Sequence, residues 1–388
     1  MRDAVVVSAV RTPIGRRNGG LSGVHPVDLS AVVLTALAER TGLVPTLVDD
    51  VLWGCVSQAG EQTSNLARSA VLAAGWPESV PAVTIDRQCG SSQQALAFAA
   101  AGLVSGQYDV VVAGGVESMS RVPLGSSAAG ADPFGAGVHA RYADALAEAG
   151  TPTFNQGIGA ELIAARWGLD RGQLDAFAWE SHQRAAKAAD SGQFDEELVA
   201  VTLSDGRVVT ADEGIRRDTT LERLATLPTP FRTEGVVTAG SASQISDGAA
   251  ALLMTTTEVA AVHGWRPLAR VHSTVVAAAD PVAMLTAPIP ATHSLLKRAG
   301  VSLTDVDVYE VNEAFAPVPL AWLAETGADP GRLNPRGGAI ALGHPLGASG
   351  ARLTTTLLHH LRQTGGRIGL QTMCEGGGQA NATLFTRP

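Results

Sequence analysis

Ala82-Val83-Thr84-Ile85-Asp86-Arg87-Gln88-Cys89-Gly90-Ser91-Ser92-Gln93-Gln94-Ala95-Leu96 carries a strand, a turn and a helix start in quick succession. The run Ala82–Asp86 reads as a strand and Gln93–Val104 as a helix, with Cys89 in the turn between them. A strand-to-helix turn presents its side chain outward, as a nucleophile elbow does. Backbone N–H groups at the helix start predict a lowered thiol pKa there and a place for an oxyanion. An inert buried cysteine is the alternative that this local context leaves open.

Outward from this unit the same rhythm repeats. Strand-like Val5–Val10 precedes a helix over Val27–Arg40 closed by Gly42. Val48–Cys55 reads as a strand, Asn65–Ala74 as a helix closed by Gly75, and Val110–Ala113 as a strand ending before Gly114-Gly115. Such alternation predicts an α/β architecture with buried, mainly parallel strands. From Met119 to about Gln244 the chain turns richer in charge, Pro and Gly, with two amphipathic helices over Gly159–Trp167 and Arg171–Asp190. That stretch reads as an insertion, after which Ala249–Thr255 and Ala269–Ala277 resume the rhythm. A weak internal repeat follows: His344, a helix to about Leu361, Gly365-Gly366, strand Arg367–Met373 and Gly376-Gly377-Gly378 echo the order around Cys89.

With 388 residues, 45% hydrophobic and 17% charged, the chain holds a large core, which excludes disorder. Its 43 glycines follow no Gly-X-Y period, so they mark tight turns and close backbone approaches rather than collagen. A net charge of −9 without a cluster of adjacent Lys or Arg argues against nucleic acid, and aromatics at 4% argue against base-stacking platforms. Apolar stretches are broken well before the ~18 residues a membrane span needs. Three cysteines, Cys55, Cys89 and Cys374, form no CxxC pair and fit a reducing, cytoplasmic setting. No zinc spacing, GxGxxG after a strand or P-loop occurs, so neither a metal nor a nicotinamide or ATP enzyme is expected.

Other residues join Cys89 as candidates. His344 lies among the glycines of Gly337-Gly338-Ala339-Ile340-Ala341-Leu342-Gly343-His344-Pro345-Leu346-Gly347-Ala348-Ser349-Gly350, a setting suited to a general base for a thiol. Cys374 precedes Glu375-Gly376-Gly377-Gly378, where glycines either expose an N–H for an oxyanion or merely bend a hairpin. Asn312-Glu313-Ala314-Phe315 follows the strand Val306–Val311, at the strand end where α/β sheets place ligands. Asn312 would hold a water or cap the next helix, and Glu313 would orient a histidine. Cys55 reads as a core filler.

Together these motifs resemble the thiolase family along essentially the whole chain. Arg11-Thr12-Pro13-Ile14-Gly15, Cys89-Gly90-Ser91-Ser92, Gly114-Gly115-Val116-Glu117-Ser118-Met119 and Thr238-Ala239-Gly240-Ser241-Ala242-Ser243 with Asp247-Gly248-Ala249-Ala250 follow the family's order. Asn312-Glu313-Ala314-Phe315, Gly343-His344-Pro345 and Cys374-Glu375-Gly376-Gly377-Gly378 complete the set. The resemblance implies a thiolase fold, two similar βαβαβαββ halves in a five-layered αβαβα arrangement with an inserted loop domain. It places an N-terminal half at 1–118 and 247–266, the loop domain at 119–246 and a C-terminal half at 267–388. It also implies a homodimer or homotetramer, coenzyme A and acyl-CoA as substrates, and no permanently bound cofactor.

By the same resemblance Cys89 is the acylated nucleophile, His344 its base, and Cys374 the group that moves the α-carbon proton. Gly376 N–H with Cys89 N–H forms one oxyanion hole, and His344 with a water on Asn312 the other. Arg216 meets the adenine-phosphate end of coenzyme A, a solvated loop arginine being the alternative, and Ser243 meets the pantetheine. Departures fall at Ser241, often Asn in the family, at Asn155-Gln156-Gly157, often His-Met-Gly, and at Met284-Leu285-Thr286-Ala287-Pro288, often Met-Gly-Thr-Gly-Pro. The segment Arg121-Val122-Pro123-Leu124-Gly125 looks more like broad-range degradative members than short-chain biosynthetic ones, and Gly54-Cys55-Val56 and Cys374–Asn381 resemble actinobacterial lipid- or steroid-degrading thiolases. A decarboxylating ketosynthase-like condenser would lack Cys374, and a non-catalytic acyl-CoA binder would have no reason to keep Cys89, His344, Cys374 and Asn312 together. The expected activity is therefore thiolysis of 3-ketoacyl-CoA or the reverse condensation, with a short-chain biosynthetic acetoacetyl-CoA thiolase as the runner-up.

Overall fold

The computed structural model describes residues 2–128 and 130–387. In chain order the strands are β1 (Val5–Arg11), β2 (Gly15–Arg16), β3 (Asp50–Gly54), β4 (Ala82–Ile85), β5 (Val110–Ser118), β6 (Val201–Thr202), β7 (Val208–Val209), β8 (Ser246–Thr255), β9 (Ala269–Ala278), β10 (Val308–Val311), β11 (Ile368–Glu375) and β12 (Gln379–Thr386). The main sheet runs β4-β3-β5-β8-β1-β9-β12-β11-β10. Two matching halves meet at β1 and β9, where Val5 and Val6 pair with Arg270 and Ala269.

The repeat is visible in strand sense. In the first half β3 and β5 are parallel, while β5–β8 and β8–β1 are antiparallel. In the second half β10 and β11 are parallel, while β11–β12 and β12–β9 are antiparallel. The helix before β5 is Ser91–Ser105, just after Cys89, and the helix before β11 is Leu346–Thr364, just after His344. Between β5 and β8 the first half carries the whole segment 119–245, where the second half has the turn Gly376–Gly378 between β11 and β12. The sheet is thus mixed rather than mainly parallel. Parallel pairs arise where a helix crosses over, and each half's return strands pair antiparallel.

Period-two alternation along the strands separates the cores into layers. Val110, Val112 and Leu253 face the helix Pro26–Thr41 through Leu29, Val33, Leu34 and Leu37. Val111, Leu252 and Met254 face the opposite way, onto Leu96, Leu103, Leu357, Leu358 and Leu361 of the two central helices. Those helices also touch strands of the second half, whose far side packs Leu295 and Trp322 against Tyr309, Val311, Leu370 and Leu384. Five layers result, α/β/α/β/α.

The segment 119–245 holds helices Gly135–Glu148, Gln156–Arg166, Arg171–Asp190 and Leu221–Ala225 and the ribbon β6–β7. Arg171–Asp190 starts where expected because Asp170 and Gln173 form a reciprocal capping box. Gly135–Glu148 escaped the sequence reading: it begins without a side-chain cap and buries little beyond Leu146. A buried ion cluster moors the segment to β1, with Arg11 bonded to Glu197 at 2.6 Å and Asp212 at 2.7 Å.

β5 does not stop at Gly114-Gly115 but continues to Ser118. The glycines are there because another backbone passes over them: a Cβ on Gly115 would lie 2.2 Å from the Gly347 carbonyl oxygen. The central helices make a similar approach, since a Cβ on Gly350 would lie 2.3 Å from the Gln93 backbone nitrogen. Gly137, also in a helix, has open space around its Cβ direction. Gly137→Ala should therefore stabilise the protein by up to ~1 kcal/mol through helix propensity. Gly350→Ala should destabilise it by about 1–3 kcal/mol through overpacking, and turnover should fall as the two central helices separate. Urea unfolding midpoints moving in the same direction for both variants would contradict this packing.

Candidate active site

Cys89 is half-buried and follows Gln88, which takes φ +48° in the left-handed region. The reversal turns the chain out of β4 and into the helix Ser91–Ser105, so Cys89 sits where the sequence placed it. Backbone N–H groups of Cys89 itself and of Gly376 lie within hydrogen-bonding reach of the thiol. Cys374, at the end of β11, is buried and near enough to Cys89 for that sulfur to push the Cys374 thiol pKa up. The triple-glycine turn closes the β11–β12 hairpin, with Gly377 at φ +79° and Gly378 at φ +78°, and its Gly376 N–H reaches the Cys89 thiol.

His344 is buried and held at three points. Its backbone N–H donates to Ser246 Oγ at 3.2 Å, Nδ1 lies 2.6 Å from Ser349 Oγ, and Nε2 lies 3.3 Å from Asn312 Nδ2. Cys89 packs against the apolar cluster of Val56, Met119 and Leu346, of which Leu346 lies two residues beyond His344, so the nucleophile turn and the histidine loop border one cluster. Asn312 does not cap a helix. The next helix, Pro317–Thr326, starts after Ala316 without a side-chain cap, and Asn312 Oδ1 is buried without a protein partner. Glu313 does not orient the histidine either. It accepts from Ser181 Oγ at 2.7 Å, Asn334 Nδ2 at 2.9 Å and the Ile340 N–H at 3.2 Å, shaping the approach to His344 instead.

Glu117 is the group whose part the sequence did not disclose. Its buried carboxylate accepts from the N–H groups of Val56 at 2.9 Å, Ser57 at 3.0 Å and Gly347 at 2.9 Å, and from Gln62 Nε2 at 2.7 Å. One side chain thereby joins the loop after β3, the end of β5 and the first turn of the helix behind His344. Only its place in a motif was readable, because its partners lie 55 to 230 residues away in sequence.

The electrostatics correct one expectation. The Cys89 thiol is pushed up to about 12, not lowered. Burial is the main cause, with the carboxyls of Glu375 and Glu117 adding to it, and the two N–H donors offset only part. Burial and, secondarily, Arg352 push His344 down to about 3. Burial and the neighbouring Cys89 hold Cys374 well above the ordinary thiol range. Burial thus favours the neutral forms of His344, Cys89 and Cys374. The site can perform proton transfer coupled to nucleophilic attack, with N–H donors placed for the oxygen that becomes charged. Cys55 is a fully buried thiol raised by burial, as a core filler should be.

Arg216 and Ser243 lie on two loops tied to this centre. Exposed Arg216 lines a small recess with His182, Thr219, Gly240 and Gln244. Gln244 Nε2 donates to the carbonyls of Gly214 and Ile340, at 2.9 and 2.8 Å, linking the Arg216 loop to the His344 segment. Ser243 N–H donates to the Ala314 carbonyl at 2.9 Å, beside Asn312. Asn155 is occupied as a helix cap, accepting from the N–H groups of Gly157 and Ile158. Leu285 and Met284, the latter at φ +58°, are buried in one apolar cluster with Phe315, Ile340 and Cys374.

Comparison with known proteins agrees with this constellation. Family models of the thiolase N-terminal domain and the thiolase C-terminal domain match residues 4–258 and 265–387. Over 388 residues the chain is 49% identical to a steroid 3-ketoacyl-CoA thiolase of Mycobacterium tuberculosis, with all of this chain and 95% of that protein covered. It is 45% identical over 400 positions to a beta-ketoadipyl-CoA thiolase of Escherichia coli, with both chains fully covered. The crystal structure of the Bacillus anthracis acetyl-CoA acetyltransferase superposes with a TM-score of 0.91 at 37% identity, covering 100% of this chain and 99% of that one.

Glu375 supplies a pH test. Its buried carboxyl abuts Gly90, where a Cβ would lie 2.0 Å from Oε1, and burial raises it to about 8 against the opposing pull of Arg87. A carboxyl raised on folding costs nothing below its unfolded value near 4.5, and stability is lost as pH rises through about 8. Glu375→Gln, which does not titrate, should therefore gain in melting temperature relative to the parent between pH 5 and pH 9. A melting-temperature difference that stays constant over that range would contradict a raised Glu375.

Proposed function

The chain belongs to the thiolase family and is an acyltransferase, and on that premise we propose that it cleaves 3-ketoacyl-CoA with coenzyme A through an acyl-Cys89 intermediate. What supports this reading is Cys89 with the Gly376 N–H in reach and Cys374 nearby, together with the pairing of His344 Nε2 and Asn312 Nδ2. A ketosynthase-like condenser has no use for Cys374.

As Cys89 Sγ attacks the 3-keto carbon, its proton passes to His344 Nε2 and the new oxyanion is held by the N–H groups of Cys89 and Gly376. The C2–C3 bond then breaks, its electrons forming the enolate of acetyl-CoA, whose oxygen is met on the His344–Asn312 side. Cys374 gives its proton to C2 and becomes a thiolate. Coenzyme A loses its thiol proton to Cys374 and attacks the acyl group, and Cys89 leaves, regaining its proton from His344. Donors aimed at each developing charge carry the rate: removing one typically costs ~10²–10³ in kcat. Arg216 holds the adenine-phosphate end and Ser243 the pantetheine, each on a loop joined to the catalytic centre.

The chain divides into the two halves and the inserted loop domain, 119–246, that the family pattern implies. It acts as a homodimer or homotetramer in the cytoplasm. β4 is one edge of the main sheet, and Val83 on it and Phe98 on the helix that follows it are exposed, which supports this edge as the line along which two copies join.

The substrate is a medium or bulky 3-ketoacyl-CoA of a degradative pathway. Similarity to the steroid and beta-ketoadipyl thiolases supports this, as do Leu285 and Met284 in the apolar cluster beside Cys374. In a kinetic panel running from acetoacetyl-CoA to a steroid side-chain 3-ketoacyl-CoA, kcat/KM should be higher for the medium or bulky substrates. Acetoacetyl-CoA being best by tenfold or more would favour the short-chain biosynthetic reading instead.

A further inference from the structure

We propose that Ser349 is a positioning residue for His344: its hydroxyl fixes the imidazole in the tautomer that carries hydrogen on Nδ1 and leaves Nε2 free to take the Cys89 proton. This rests on the reading of His344 as the base for Cys89.

Ser349 Oγ lies 2.8 Å from the Pro345 carbonyl oxygen and 2.6 Å from His344 Nδ1. Two oxygens at 2.8 Å require a hydrogen between them, and a carbonyl has none to give. The one hydroxyl hydrogen of Ser349 is therefore directed at Pro345. The 2.6 Å contact to Nδ1 needs a second hydrogen, and only the imidazole can supply it. Nδ1–H donates to Ser349 Oγ, so in the neutral ring Nε2 holds the lone pair. Asn312 Nδ2, 3.3 Å from Nε2, is a donor facing that lone pair, which agrees with the same assignment.

Ser349 is well placed to be rigid. It is fully buried in the first turn of the helix Leu346–Thr364, and the next residue, Gly350, is pressed against the Gln93 backbone. The helix start is itself pinned by Glu117 through the Gly347 N–H. On the other side of the ring, Gly343 at φ +107° and the bond from His344 N–H to Ser246 Oγ fix the backbone. Imidazole and acceptor thus belong to one short loop-and-turn unit, so Nδ1 does not depend on a distant side chain.

The acceptor's chemistry matters as well as its place. A serine hydroxyl is neutral, so when Nε2 takes the Cys89 proton no carboxylate compensates the imidazolium. His344 is then a weak base in the free enzyme and gives its proton back readily, to Cys89 as that sulfur leaves. Burial and Arg352 push the same way.

Nitrogen NMR of histidine-labelled enzyme, with the His344 signals identified by their loss in His344→Ala, should show a protonated Nδ1 and an unprotonated Nε2. The opposite tautomer overturns the proposal without any Ser349 variant. Ser349→Ala should let the other tautomer appear and lower kcat about 10- to 100-fold at unchanged KM. Ser349→Thr, which keeps the hydroxyl, should recover both the parent tautomer and most of the kcat. Parent kcat in Ser349→Ala, or lost kcat with the tautomer unmoved, also overturns it. If His344→Ala itself retains parent turnover, it is the reading of His344 as base that fails, not the Ser349 assignment.

Discussion

Two helix starts approach each other to backbone distance, and the site exists because they can. Gly115 and Gly350 leave space for the Gly347 carbonyl and the Gln93 amide where any side chain would collide. The contact brings the turn holding Cys89 beside the loop holding His344, although 255 residues separate them in sequence. Glu117 makes the approach directional, because one carboxylate takes N–H groups from the loop after β3 and from the start of the second helix. Breaking such a buried, multiply bonded anion leaves several donors unpaired, which is why a change far from the reacting atoms would reach them.

The same enclosure sets the chemistry. Desolvation pushes both thiols up and the His344 imidazole down, against the pull of N–H donors on the cysteines. In the proposed mechanism charge develops when the substrate's carbonyl oxygen arrives to receive it, next to donors already fixed in place. Electrostatic preorganisation of this kind lowers the barrier because little must reorient at the moment of reaction.

Much of the frame could be read from local sequence. Val-rich runs, Ala/Leu-rich periodic stretches and closing glycines marked strands and helices because those signals act within a few residues. The segment Arg171–Asp190 was readable for the same reason, its cap lying one residue outside it. What escaped reading depends on distance or burial. Gly114-Gly115 looked like a strand end because nothing nearby reveals that Gly347 crosses over it. The thiol of Cys89 looked activated because the helix start is local, whereas desolvation is a property of the whole fold. Glu313 reads as orienting a histidine and Asn312 as holding a water or capping a helix, yet the first serves Ser181, Asn334 and Ile340 and the second faces His344 without capping. Sheet polarity was misjudged because the return strands of each half come from segments far apart in the chain.

The central claim is that Cys89, and not either other thiol, carries the acyl group between substrates. Mass spectrometry of the protein after exposure to acetyl-CoA tests this directly, since the three cysteines fall in well-separated peptides. The account predicts one acetyl group, on the peptide containing Cys89, lost again when coenzyme A is added. Acetyl on Cys374 or Cys55 in place of Cys89, or a turning-over enzyme that never acquires the label, would contradict it.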